Sequence, residues 1–383
     1  MGALSHIRVL DLSRVLAGPW SGQIFADLGA EVIKVENPQG GDDTRHWGPP
    51  FMTDADGQAT EESAYYLCAN RGKQSVRIDI RTPEGQQRIR ELAQESDVLL
   101  ENYKVGGLAK YGLDYDTLSA INPRLVYCSI TGFGQNGPYA HRPGYDFLIQ
   151  AMGGMMSITG APDNEPQRVG VAVTDIMTGL YATIGVLAAL QERERSGLGQ
   201  HVDLALMDVT TSMLANQASN YLVGGMVPGR IGNIHPNIVP YQVFATADGH
   251  CIIAVGNDGQ FRKLVEVLGR AELADDERFA TNRQRVEHRD LLVPILADII
   301  ASEPRDTWLP AFETAGVPAG SINSIDEVFA DPQVIARGMQ VNIPHPDQPE
   351  LQVVGNPIKL SRTPVQYDRP PPRLGEHDAD WID

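Results

Sequence analysis

The chain has 383 residues, 42% apolar and 21% charged, which is ordinary globular composition and enough length for two compact units. With 31 Lys and Arg against 49 Asp and Glu, the formal net charge is −18. This argues against general binding of nucleic acid or anionic membrane, while an anionic small ligand stays compatible if a local basic cluster meets it.

Residues 7–12 read as a strand and Leu16-Ala17-Gly18-Pro19 as a turn, with Pro19 at the first helical position. Residues 21–28 form an amphipathic helix closed by Gly29, and 31–36 a second strand. The turn lacks the G-x-G-x-x-G spacing, which speaks against a bound NAD. Residues 37–62 are polar and irregular. A strand at 75–80 leads to Thr82-Pro83-Glu84, a helix start with cap, proline and first-turn acid. That helix ends near Ser96; a strand at 97–101, a helix at 114–121 and a strand at 125–130 follow. Strand and helix alternate four times in about 130 residues, the doubly wound α/β pattern.

The most apolar helix spans 176–190 inside a helical pattern running to Arg195. At about 15 residues it reads as too short for a membrane span, and Gly179 and Gly185 suit close approach of another backbone. A strand at 200–206 and a helix at 207–222 complete a large domain, 1–223. Residues 224–240 are a Gly/Pro/Asn-rich linker. A smaller α+β domain extends to 325, with a hairpin of 241–245 and 251–255 about Asp248-Gly249 and helices at 258–268, 286–302 and 304–315. Residues 326–383 are too short to fold alone and are expected to dock back on the large domain. Cys68, Cys128 and Cys251 are far apart and read as buried free thiols, which fits a reducing cytoplasm. The first apolar segment carries Arg8, Asp11 and Arg14, so no signal peptide is expected.

Asp175 stands before the apolar helix and has two ordinary readings. It is a helix cap, or it is a nucleophile held near backbone N–H groups. Asp208, at a strand–helix junction, reads as a cap. The cations of 34–110, namely Lys34, Arg45, Arg71, Lys73, Arg77, Arg81, Lys104 and Lys110, are the candidate basic cluster.

Several motifs coincide in order: Val9-Leu-Asp-Leu-Ser-Arg-Val-Leu-Ala-Gly-Pro19, Gly41-Asp-Asp-Thr-Arg45, Asn70-Arg-Gly-Lys73, Ser129-Ile-Thr-Gly-Phe-Gly134, the Asp175 segment, Val317-Pro-Ala-Gly320 and Leu374-Gly-Glu-His377. Over essentially its whole length the chain resembles the class III coenzyme A-transferases, which share their fold with 2-methylacyl-CoA racemases. The resemblance implies an interlocked homodimer whose large domain is Rossmann-like. It implies a donor acyl-CoA, plausibly succinyl-CoA, and a small carboxylic or dicarboxylic acid as substrates, with no metal and no permanently bound cofactor.

It places the nucleophile at Asp175, forming an aspartyl-CoA thioester. CoA contacts fall on Leu16, Ala17, Asn37, Ile78, Asp79, Arg81, Asn102, Tyr103, Lys104, Lys110, Tyr145 and Asp146, with Arg81 and Lys110 the phosphate candidates. Tyr65 and His235 become pocket candidates; a buried packing role for Tyr65 and a turn role for His235 are the alternatives. Oxalate-specific members carry Gln where this chain has Leu16, which argues against oxalate. The racemase branch carries His where Tyr145 stands, which argues against two-base racemisation. A non-catalytic acyl-CoA-binding protein is the reading from another class.

Overall fold

The structure is a computed structural model describing residues 2–381. It divides into two units. The first takes residues up to Met155, Arg168–Met226, and the stretch from Pro332 to the end of the described residues; the second takes Met156–Gln167 and Val227–Asp331. Residues 156–167, expected in the large domain, thus group with the smaller unit.

The first unit is built on six parallel strands. Their order is Gln74–Arg77, Glu31–Glu36, Arg8–Asp11, Val98–Glu101, Val126–Thr131, His201–Ala205. Numbered along the chain this is 3-2-1-4-5-6, the order of dinucleotide-binding sheets. Alternate residues leave the sheet on opposite faces. Val9, Val32, Val98 and Val126 meet Phe25, Ala182 and Val186 on one side. Leu10, Ile33, Leu99 and Tyr127 meet Ile89, Leu92 and Leu118 on the other. Both faces are therefore dry, which explains the unbroken apolar runs of the central strands.

The helix after the first strand runs Ala17–Asp27, four residues earlier than its periodicity suggests. Pro19 falls at its third position, where an N–H would be unpaired anyway. The apolar helix runs Val173–Ser196, 24 residues rather than about 15. By length and apolarity it suffices to cross a membrane, so the argument from shortness fails. It packs against the helix Ala17–Asp27 and the sheet. At Gly179 a Cβ would lie 2.6 Å from the Ala17 carbonyl oxygen, so only glycine admits this helix crossing. The helix expected at 207–222 is broken into Leu206–Met213 and Ala215–Gly224. Ala215 has φ 42° at the break, a left-handed conformation that no sequence signal marks.

The last part of the chain lies on this unit. The Pro372 carbonyl accepts from Arg45 at 3.1 Å, Gly375 N–H donates to Ser75 Oγ at 2.9 Å, and the Trp381 indole donates to Gln74 at 2.7 Å.

In the second unit an antiparallel sheet is ordered Ala319–Ser321, Gly249–Ala254, Tyr241–Thr246. Helices Asp258–Val267, Arg289–Ile300 and Arg305–Ala315 pack Phe261, Leu264, Leu292, Leu296 and Phe312 over Phe244 and Cys251. Residues 286–302, expected as one helix, include the end of Asn282–Glu287 as well as Arg289–Ile300.

Candidate active site

An open parallel sheet leaves a crevice where the strand order reverses, outside the carboxyl ends of the strands. Here the reversal lies between Arg8–Asp11 and Val98–Glu101. A cleft opens at that place. Its wall includes Leu16 and Ala17 after the first strand, Asn102, Tyr103 and Lys104 after the fourth, and Tyr145 and Asp175. Beside it a second hollow of about 1180 Å³ is lined by Asn37, Ile78, Asp79, Arg81, Tyr103, Lys104 and Lys110. Arg14, Asp43, Tyr103 and Lys104 belong to both. Residues spread over 160 positions of sequence therefore converge on two adjoining hollows that share a rim.

Asp175 occupies the third position of the helix Val173–Ser196, whose cap position is Ala172, and that residue makes no side-chain cap. The early N–H that a cap would satisfy is taken by another residue. Asp146 Oδ1 accepts from Thr174 N–H at 2.9 Å and from the Thr174 hydroxyl at 2.7 Å, and its Oδ2 accepts from Gln150 at 2.7 Å. Asp146 thus fixes the helix start, and the Asp175 carboxylate has no hydrogen-bond partner among the described residues. Burial, and secondly the charge of Asp146, push the Asp175 carboxyl up to about 7. This corrects one of the two sequence readings: Asp175 is not the cap of this helix. Asp208 is not a cap either; it lies exposed in the first turn of Leu206–Met213, behind Ala205.

Tyr65 is half-buried, and its phenol is pushed up to about 12 by burial first and by the charge of Asp175 next. Trp47, which sequence reasoning passed over, meets the Tyr65 ring edge-on at 5.3 Å. His235 belongs to the second unit. There it stacks obliquely on Tyr241 at 5.1 Å, accepts from Asn237 N–H at 3.1 Å, and offers its carbonyl to Arg289. Those are the contacts of a turn histidine. Burial, then the nearby Arg289, lower its ring pKa.

The basic cluster needs the largest revision. Lys34 pairs with Asp42 at 2.9 Å, Arg45 with Glu36 at 2.7 Å, Arg71 with Asp27 at 2.6 Å and Lys73 with Asp11 at 2.9 Å. All eight side chains are buried. Arg77 pairs with Asp378, and Arg81 is held in a fork by Asp79, both nitrogens at 2.8 Å. Of the eight cations only Lys104 and Lys110, both exposed, have no carboxylate partner among the described residues.

The buried pairs hold the cleft rather than its ligand. Lys34 Nζ donates to the Ser13 carbonyl and to Asp42, and Asp42 accepts from Val15 N–H at 3.2 Å. Val15, with φ 71°, is a β-branched residue in the left-handed region. Lys73 Nζ donates to Asp11, the Pro19 carbonyl and Asn70, each at 2.9 Å. The strained turn that presents Leu16 and Ala17 is thus locked from below by two ion pairs. Asp11 is pushed up by burial, but Lys73 and Lys34 outweigh this and hold it below the usual carboxylate range.

Cys128 and Cys251 are buried free thiols, whereas Cys68 is exposed, against expectation. Among the described residues no group of His, Cys, Asp or Glu is arranged to hold a metal.

Residues 4–378 match the model of CoA-transferase family III. The chain is 56% identical to a succinate–glutarate CoA-transferase of Agrobacterium fabrum over 98% of this chain and 94% of that protein. It is 44% identical to the succinyl-CoA:glutarate CoA-transferase of Mus musculus, covering 98% of this chain and 85% of that one. The crystal structure of a CAIB/BAIF family protein from Brucella suis superposes with a TM-score of 0.87 at 52% identity, covering 99% and 98% of the two chains.

Proposed function

The chain belongs to CoA-transferase family III and moves coenzyme A from an acyl-CoA donor to a small carboxylic or dicarboxylic acid; from that premise we propose that the donor is succinyl-CoA, the acceptor glutarate, and the carrier Asp175. The observation that carries this reading is a carboxylate that caps no helix and has no partner among the described residues, in the wall of a cleft at the sheet's switch point. The substrates are those of the relatives just described.

In the proposed cycle the ionised Asp175 carboxylate attacks the thioester carbonyl of succinyl-CoA, and the C–S bond breaks to leave CoA thiolate and a mixed anhydride. The thiolate attacks the Asp175 carbonyl, releasing succinate and leaving an aspartyl-CoA thioester. The glutarate carboxylate displaces the thiolate from Asp175, giving a second anhydride. The returning thiolate attacks its glutaryl carbonyl, so that glutaryl-CoA leaves and Asp175 is free again. Each step exchanges one activated acyl bond for another, which keeps the intermediates near balance. The developing oxyanions need donors. Gly132 and Gly144 stand in the cleft wall, so close that a Cβ on either would meet the other's backbone, and we assign that role to backbone N–H groups there.

CoA lies across both hollows, its phosphates toward the second, where Lys104 on the shared rim and Lys110 on the wall have no carboxylate partner among the described residues. Incubating the protein with succinyl-CoA and a panel of acids tests the substrate assignment. Glutaryl-CoA should form with release of succinate, whereas CoA products from other acids but none from glutarate would overturn the acceptor.

We further propose that the chain works as a homodimer in the cytoplasm. Leu180, Tyr181 and Ile184 of the long helix are exposed in the single chain, as are Tyr221, Leu222 and Val223, and a second chain covering them would remove apolar surface from water. Light scattering should report a dimer that Ile184→Asp shifts toward monomer. A parent that is monomeric at micromolar concentration would refute this. The free cysteines fit a reducing compartment.

A further inference from the structure

Three cations line the Asp175 cleft: Arg14, Lys104 and Arg142. Arg14 and Lys104 also line the neighbouring hollow, so their charge faces the cofactor-sized ligand that spans both. Arg142 belongs to the Asp175 cleft alone. Its guanidinium lies over the Tyr139 ring at 4.7 Å and the Phe133 ring at 5.3 Å, and its one polar contact among the described residues is the Met152 sulfur at 3.9 Å. No carboxylate among the described residues pairs with it. A guanidinium stacked on aromatic rings has its plane fixed while its N–H edge stays free, the arrangement that grips a carboxylate with two parallel hydrogen bonds.

We infer that Arg142 is the residue that recognises the free carboxylate of a dicarboxylic substrate, holding the end of the acyl chain that does not react. This rests on the proposed dicarboxylate transfer. It gives that reaction a positive group that lines the nucleophile's cleft without also lining the neighbouring hollow, to offset the repulsion between Asp175 and a second negative charge. A monocarboxylic substrate of the same length gains nothing from it.

The test compares succinyl-CoA with butyryl-CoA, which has the same chain length and no free carboxylate. In Arg142→Gln the ratio of kcat/KM for succinyl-CoA to that for butyryl-CoA should fall by about 30- to 100-fold, the range for a lost charge-assisted hydrogen-bonded contact. Activity with butyryl-CoA should change little. Arg142→Lys keeps the positive charge but not the two-pronged grip, so it should lose about 10-fold in the same ratio, and it serves as the readout if the Gln variant folds poorly. An equal loss with both donors would assign Arg142 to CoA or to the fold, and an unchanged ratio would remove it from recognition; either result overturns the inference. The dicarboxylate reading is judged separately, on whether the unaltered protein makes glutaryl-CoA.

Discussion

Asp175→Asn is expected to lower kcat/KM for succinyl-CoA by about 10⁴-fold or more, because an amide cannot form the anhydride on which each later step depends. Binding of CoA should persist, since the contacts proposed for it lie elsewhere along the two hollows. The unaltered enzyme should show a pH signature. With the Asp175 carboxyl pushed up to about 7, kcat/KM should rise with pH and level off above an apparent pKa near 7, whereas an ordinary aspartate would be flat there.

The same displacement affects folding. A carboxyl that titrates higher folded than unfolded favours the folded state at low pH, and that contribution is lost as pH rises through the folded pKa. Asp175→Asn carries no charge at any pH. It should therefore unfold later than the parent at pH 8.5, by about 2 to 4 kcal/mol after allowing for partial solvent access, and nearly equally at pH 4. Denaturant titrations at the two pH values decide this. A variant no more stable at pH 8.5 would mean that the carboxylate is better solvated than its surroundings imply.

The second large effect is expected far from the reacting atoms. Lys73→Met removes the ammonium that binds Asp11, the Pro19 carbonyl and Asn70, and it leaves Asp11 buried without its nearest counter-charge. Breaking a buried pair from one side costs about 3 to 5 kcal/mol. Equilibrium unfolding should show that loss. Arg81→Met, whose pair with Asp79 is exposed at the arginine, should leave the unfolding midpoint nearly unchanged, because solvent screens such a pair. CoA affinity should also weaken in the Lys73 variant, because the turn carrying Leu16 and Ala17 loses its lower support. A Lys73 variant as stable as the Arg81 variant would remove the ion pairs from the account of the cleft.

The contrast between Lys73 and Arg81 also marks what the sequence could and could not reveal. Strands with continuous apolar runs, such as 31–36, and helices with a strong start, such as Thr82-Pro83, are local facts, and they were legible. The hairpin of Phe51–Thr53 with Ala59–Ser63 was not, because its first strand is only 3 residues long, its second is mostly polar, and its pairing is irregular. The helix Asp146–Met152 was equally hidden, being only 7 residues long and preceded by Tyr145, which makes no side-chain cap. Charge was legible but its burial was not. Lys34, Arg45, Arg71 and Lys73 look like surface cations until the partners Asp42, Glu36, Asp27 and Asp11 are brought to them by folding. Arg142 and Trp47 escaped notice for the converse reason: nothing in their neighbours along the chain announces that they face a cleft or its tyrosine. For Asp175, the position at the helix start was readable, while its freedom from capping depends on Asp146, 29 residues earlier.

The central claim is that CoA passes through a covalent bond to Asp175. The protein should be mixed with succinyl-CoA alone, quenched with hydroxylamine and digested, and the peptide spanning residue 175 weighed. A hydroxamate on Asp175 is expected, dependent on succinyl-CoA and absent from Asp175→Asn. An unmodified Asp175 peptide from protein that is turning over glutarate to glutaryl-CoA would contradict it.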